Sequence, residues 1–230
     1  MHVRCETEHV LPTPKQWESP AKLVDDLRHY DWRGWFHAGR RSNADKDLRA
    51  IIKVAVERNT FRAFHKLPNR PSETFRNWAF QAFNQPSLAG LLTVNSQSQY
   101  DEWLSSLVAD FQRDWKEHMG SEIPFGPSFK LPNLLVKRLF VYREMPTDVF
   151  ERIVWFLHVP LDSYTIRAVA NCVESFPEPI SIRKVPSTAS MGFVKNEEMY
   201  SAFQSGMRKL ASKAGVPPIS LDCLAWDEGH

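Results

Sequence analysis

The sequence predicts an all-α fold, and three observations carry that prediction. Apolar residues recur at three- and four-residue steps over most of the 230 residues, as the buried stripe of a helix requires. Strand-length alternation of apolar and polar residues is confined to one short piece around Ile180 and Ile182. Prolines, glycines and small polar residues stand where the periodic stretches begin and end. With 43% hydrophobic residues the chain can bury a sizeable core, as one domain over residues 1–230 or as two closely packed lobes.

The opening residues read as a loop spaced by Pro12, Pro14 and Pro20, with Trp17 pinning it to the body. Ser19-Pro20 starts a short helix through Leu23, Leu27 and Tyr30, because proline at the first helical position lacks only an N–H that would be unpaired anyway. The next segment, HYDWRGWFHAGRRSN, reads as a loop mixing Trp32, Trp35 and Phe36 with Arg33, Arg40 and Arg41. Aromatics beside arginines can stack on bases and hold phosphates. The plainer reading is a packed loop with solvated charges. Ser42 or Asn43 then caps a helix whose inner face is Leu48, Ile51, Ile52, Ala55 and Val56. After Pro68 and Pro71, Ser72 caps a helix carrying Phe75, Trp78, Ala79 and Phe83 toward the core. The longest helical pattern runs from Ser96 to Met119 on Tyr100, Leu104, Leu107, Phe111 and Trp115, and Gly120 ends it.

The stretch from Glu122 to Val169 organises the rest. Pro124, Gly126 and Pro127 mark a turn, Ser128 offers an N-cap, and Pro132 suits the first turn of a helix. Leu131, Leu134, Leu135 and Leu139 make that helix's core stripe. Lys130, Asn133 and Lys137 fall on a different face, with Arg138 beside them. Met145–Phe156 reads as a further helix. Pro160 stops the apolar run before it, and Asp162 caps a helix whose inner face is Ile166, Val169 and Ala170. A carboxylate at such a cap is held by backbone N–H groups.

Beyond Cys172 comes a proline-spaced loop, where Arg183, Lys184 and Lys195 either touch a phosphate backbone or only solvate the chain. Asn196 caps a long helix lined by Met199, Phe203, Met207, Leu210 and Ala214, and Gly215 with Pro217-Pro218 stops it. The tail SLDCLAWDEGH docks Leu221, Leu224 and Trp226 on the body.

Composition removes several function classes. A net charge of +2 gives no global signal for nucleic acid, so any such surface is local. Cys5, Cys172 and Cys223 lie too far apart in sequence for a zinc motif, and the eight histidines form no HExxH spacing. No Gly-rich phosphate loop is present, so neither metal nor cofactor is expected. No apolar run approaches the roughly 20 residues of a membrane span. The start MHVRCETEHV lacks the apolar stretch of a secretory signal, which makes the cytoplasm the expected location. His158, four positions before Asp162, is expected to be a partly buried histidine.

Two segments, IPFGPSFKLPNLLVKRLF and VPLDSYTIR, resemble the LPGxGxKTAxxV and VDTHVxR marks of the helix-hairpin-helix DNA glycosylases, of the endonuclease III and adenine glycosylase type. The likeness spans under a quarter of the chain. It puts Lys130 where the lyase lysine of bifunctional members lies, Asp162 on the catalytic aspartate, and Arg167 on the arginine that follows. Phe125-Gly126-Pro127-Ser128 replaces the hairpin's GxG, and Ser163 and Tyr164 replace the usual Thr and His. The iron–sulfur loop of some members, which needs four clustered cysteines, is absent.

The resemblance implies an all-α, helix-hairpin-helix glycosylase-like fold, two helical lobes around a cleft, with the hairpin segment at about 122–170. It implies a monomeric DNA N-glycosylase that flips out a damaged or modified base and hydrolyses its N-glycosidic bond, leaving an abasic site. Asp162 would stabilise the oxocarbenium-like sugar or orient the nucleophile, and Lys130 could attack C1′ to give a Schiff base and lyase activity. Gly126, Ser128, Phe129, Asn133, Lys137 and Arg167 would meet DNA. Trp32, Trp35, His37, Arg40 and Tyr164 would line or stack on the base. The departures from the family pattern suggest an unusual base, such as a hypermodified base of phage genomes, and hence a phage-defence role. Two other readings stand beside this one: a non-catalytic helical DNA-binding module, and a helical protein–protein adaptor. Salt-dependent DNA binding separates the last from the other two.

Overall fold

The computed structural model describes residues 15–228 apart from 44–46, 57–59, 62–63, 68, 85, 143–144 and 177–184. Among the described residues the chain is all-α, with no strand. The expected piece around Ile180 and Ile182, together with Cys5, Arg183 and Lys184, lies outside them.

Helix α1 (Pro20–His29) opens as its sequence predicts, with Ser19 Oγ accepting the Lys22 N–H at 3.2 Å. Trp17 is buried beside it and donates its indole N–H to Asp26 at 2.8 Å. The next segment is a helix, α2 (Trp32–Asn43), and not the expected loop. Asp31 accepts the Gly34 N–H at 2.8 Å and so caps its first turn. Trp32 and Phe36, one turn apart, are both buried, which gives the helix the inward face that its arginines obscure in the sequence. Ser42 and Asn43 belong to this helix, so the cap of α3 (Leu48–Ala55) is instead Asp47, which accepts from Ala50 N at 2.7 Å. In α4 (Pro71–Phe83) the proline takes the first position, which moves Ser72 inside the helix and leaves Arg70 at the cap. A short α5 (Pro86–Leu92) follows, which the sequence reading does not anticipate.

Helix α6 (Gln97–Met119) has the predicted limits, with Ser96 as N-cap and Gly120 in the left-handed region at φ +68°. Helix α7 (Phe125–Tyr142) begins earlier than Pro132 suggests. Ser128 N already bonds to Pro124 O at 3.1 Å, so Gly126, Pro127 and Ser128 form the first turn and Pro132 lies inside the helix. Pro127 fits an N-terminal turn for the same reason that Pro132 would, and the sequence offers no way to choose between them. The remaining helices are α8 (Thr147–Ile153), α9 (Ser163–Ala168), α10 (Glu197–Ala214) and α11 (Ser220–Asp227).

α7 is the element the others gather around. It packs against α2, α3, α6 and the 3-10 turn Met191–Phe193. Helices α3 to α6 also pack on one another, and α11 touches α1, α2, α9 and α10. One contiguous apolar cluster runs through both groups, from Trp17 to Ala225. Among the described residues no helix is long and apolar enough to cross a membrane, and no three His, Cys, Asp or Glu side chains could hold a metal ion.

Candidate functional site

Lys130 lies in the second turn of α7, not at its mouth, and its Nζ is 3.7 Å from Asp162 Oδ2. The side chains are 12% and 4% exposed, so water is largely excluded from the pair. The two carboxylate oxygens of Asp162 divide their work. Oδ1 caps α9, accepting from Tyr164 N at 2.8 Å and Thr165 N at 3.1 Å. The Asp162 N–H donates in return to Thr165 Oγ1 at 2.9 Å, a reciprocal capping box. The Thr165 hydroxyl donates to Pro160 O at 2.7 Å, which fixes the cap to the incoming chain. Oδ2 is thereby turned to Lys130.

A second buried ion pair stands two turns along α7. Lys137 Nζ is 2.5 Å from Asp222 Oδ2, with side chains 4% and 1% exposed. Burial works against the Lys137 charge, but Asp222 overcomes it and raises the amine's pKa. Burial pushes the Asp222 carboxyl upward against the pull of Lys137, and the charge of Asp162 adds to the rise. The Trp35 ring covers Lys137, 4.2 Å from Nζ. Asp222 Oδ1 is buried and has no hydrogen-bond partner among the described residues. Next to it, burial pushes the Cys223 thiol to about 12, which keeps it protonated. The sequence reading placed Leu221, Leu224 and Trp226 in this tail but missed Asp222. The available signal is the carboxylate among apolar neighbours in SLDCLAWDE; its partner is 85 positions away and cannot be read from spacing.

Most residues expected at DNA are held inside the chain. The turn at Gly126–Ser128 is not formed, because α7 has already begun there. A Cβ on Gly126 would lie 1.9 Å from Met191 O, so this turn is covered by the 191–194 segment. Ser128 is buried, donating to Phe125 O at 2.7 Å and accepting from Gln112 at 3.0 Å. Phe129 packs on the Tyr200 ring, centroids 4.3 Å apart. Asn133 donates to the Tyr200 hydroxyl, Lys137 bonds Asp222, and Arg167 Nε donates to Ala189 O at 3.2 Å.

The aromatic residues separate. Trp32 is buried edge-on to Phe36 and to half-exposed Trp155. Trp35 joins the Lys137 pair, while His37 is exposed on the outer side of α2. The Arg40 side chain lies outside the described residues. Tyr164 stacks on Trp226 at 4.5 Å and 27°, which ties α9 to α11. A cavity of about 550 Å³ opens elsewhere, between α3, α4 and α6, lined by Arg49, Asn77, Gln81 and His118 among others. His158, expected to be partly buried, is 8% exposed and links α6 to α10 through both ring nitrogens.

No protein family model, curated protein or solved structure matches this chain.

Proposed function

We propose that the protein is a DNA N-glycosylase working at the Lys130–Asp162 pair. The observation that carries this reading is the 3.7 Å approach of the two residues that the glycosylase resemblance singles out, from different helices and 32 positions apart. An extruded nucleotide, unstacked at a cost of roughly a few kcal/mol, places its C1′ beside Asp162 Oδ2. As the C1′–N bond lengthens, the sugar becomes cationic, and the carboxylate opposes that charge in a site with little water. Water adds to C1′, its proton passes to the carboxylate, and the base leaves with the bonding pair. Lys130 holds Oδ2 in position and is the amine that would form a Schiff base in a lyase variant of the reaction.

Support for a base-binding side comes from the same face of α7. Trp35 offers an aromatic surface over Lys137. Asp222 Oδ1 is a buried acceptor that a base N–H can satisfy.

Base release decides the matter. Matched duplexes carrying one deaminated, oxidised, alkylated or glucosylated hydroxymethyl base are incubated with the full chain, and free base is measured by mass spectrometry. The expected result is release from at least one duplex, with an abasic site left behind. Borohydride trapping in the same reactions reports whether Lys130 becomes covalently linked. No release from any duplex, with no salt-dependent DNA binding, would replace this reading with that of a protein–protein adaptor.

A further inference from the structure

A chain of four hydrogen-bonded side chains runs from the surface to the face of α7 that carries Lys130 and Lys137. Asp101 on α6, its side chain 45% exposed, has Oδ1 2.8 Å from His158 Nε2. His158 Nδ1 is 2.8 Å from the Tyr200 hydroxyl on α10. Asn133 Nδ2 is 2.8 Å from the same hydroxyl. Asn133, Tyr200 and His158 are all more than nine-tenths buried.

The direction of each bond follows from what each group can do. A carboxylate only accepts, so His158 donates from Nε2 to Asp101. Gln97 Nε2 at 3.4 Å and Arg208 Nη2 at 3.3 Å also approach that ring nitrogen, but both are donors and cannot receive its proton. Burial holds the ring below the usual histidine range against the opposing pull of Asp101, so the ring is neutral at neutral pH. A neutral ring that donates at Nε2 accepts at Nδ1, which makes Tyr200 the donor there. The hydroxyl oxygen is left to accept, and Asn133 must present its NH₂ to it. The other end of that amide, Oδ1, is then committed as an acceptor, buried and without a partner among the described residues. Asn133 lies one turn from Lys130 and one from Lys137 on the same side of α7.

We propose that Asn133 determines specificity at the Lys130–Asp162 site: its Oδ1 accepts an N–H of the flipped base, and Asp101, His158 and Tyr200 are positioning residues that keep the oxygen, not the NH₂, toward that base. The choice of ligand rests on the glycosylase reading, whereas the amide orientation rests on the hydrogen-bond chain and a neutral His158 ring. A base offering an acceptor at that point meets a second acceptor and is rejected.

Two measurements test the proposal. Ring nitrogen NMR of histidine-labelled protein at neutral pH reads the His158 tautomer. The expected state is protonated Nε2 with a hydrogen-bonded Nδ1, and Tyr200→Phe should shift Nδ1 to the frequency of an unbonded acceptor. A protonated Nδ1 would overturn the assigned orientation. Single-turnover base release is then compared for wild type, Asn133→Ala and Tyr200→Phe, each below its own unfolding midpoint. Loss of one substrate hydrogen bond should slow Asn133→Ala roughly tenfold. Its affinity for a duplex holding a tetrahydrofuran abasic analogue should not change. Tyr200→Phe should lose discrimination between bases while keeping that same affinity. Equal base release by Asn133→Ala and wild type would overturn the role of Asn133. Absence of release by wild type itself would instead remove the glycosylase reading, and with it the ligand assigned here.

Discussion

Lys137 is almost fully buried, and among the described residues the charge it meets at bonding distance is Asp222 at 2.5 Å. Removing one partner of such a pair leaves the other charge uncompensated, at a cost of about 3–5 kcal/mol. Lys137→Met should therefore lower the thermal midpoint by roughly 10 °C or more. The double variant Lys137→Met, Asp222→Leu should recover much of that, because apolar residues often replace a buried pair without loss. A single variant as stable as wild type would mean that the pair is not formed. His158 gives a prediction with a different sign. Burial depresses its folded-state pKa, so the unfolded chain takes up a proton first as pH falls. Its contribution to stability is whole above the unfolded value of about 6.5 and is lost as pH drops below it toward the folded value. Midpoints recorded from neutral to mildly acidic pH should fall, and His158→Gln should flatten that slope. At this scale the sequence discloses residue types at helix caps, so Asp162 stands out, whereas Lys130 stands out through the resemblance. It conceals contacts between distant positions. Asn133 and Lys137 read as a polar face available to DNA, and only the fold pairs them with Tyr200 and Asp222.

Helix α6 was legible throughout because its stripe, its Ser96 cap and its Gly120 stop agree. Helix α2 was not, since Gly34 and a run of arginines dilute a pattern whose buried anchors among the described side chains are Trp32 and Phe36, one turn apart, with Trp35 partly buried beside them. Helix α7 carries two prolines that both suit a first turn, and the chain uses the earlier one. That earlier start brings Gly126 against the 191–194 segment, where any Cβ would lie 1.9 Å from Met191 O and 2.9 Å from Val194 O. Backbone oxygens cannot swing aside as a side-chain end can. Gly126→Ala should cost about 1–3 kcal/mol by overpacking, readable in denaturant unfolding. Gly192→Ala, in the same covering turn but with nothing within 4 Å of the new Cβ, should cost far less. Equal destabilisation by both would show that the close approach of α7 to this turn is not what requires glycine at 126.

Across the whole molecule, α7 lies between two sets of packed helices and presents Lys130 to the cap of α9. The resemblance sets the two residues at one site, which their spacing alone does not, because α8 and the loops around it intervene. Their convergence joins the resemblance to a geometry on which chemistry can be tested, and Asp162→Asn isolates it. Asparagine also caps helices well, so Tyr164 N and Thr165 N keep an acceptor, but Lys130 loses its counter-charge in a site with little water, at a cost of up to about 3–5 kcal/mol, so the variant is compared with wild type below its own unfolding midpoint. The charge facing Lys130 is lost. The decisive measurement is single-turnover base release by Asp162→Asn and wild-type protein on a duplex that wild type processes. A glycosylase acting through this carboxylate should slow by about 100-fold or more while remaining folded; release at the wild-type rate would contradict the assignment of the Lys130–Asp162 pair as the site.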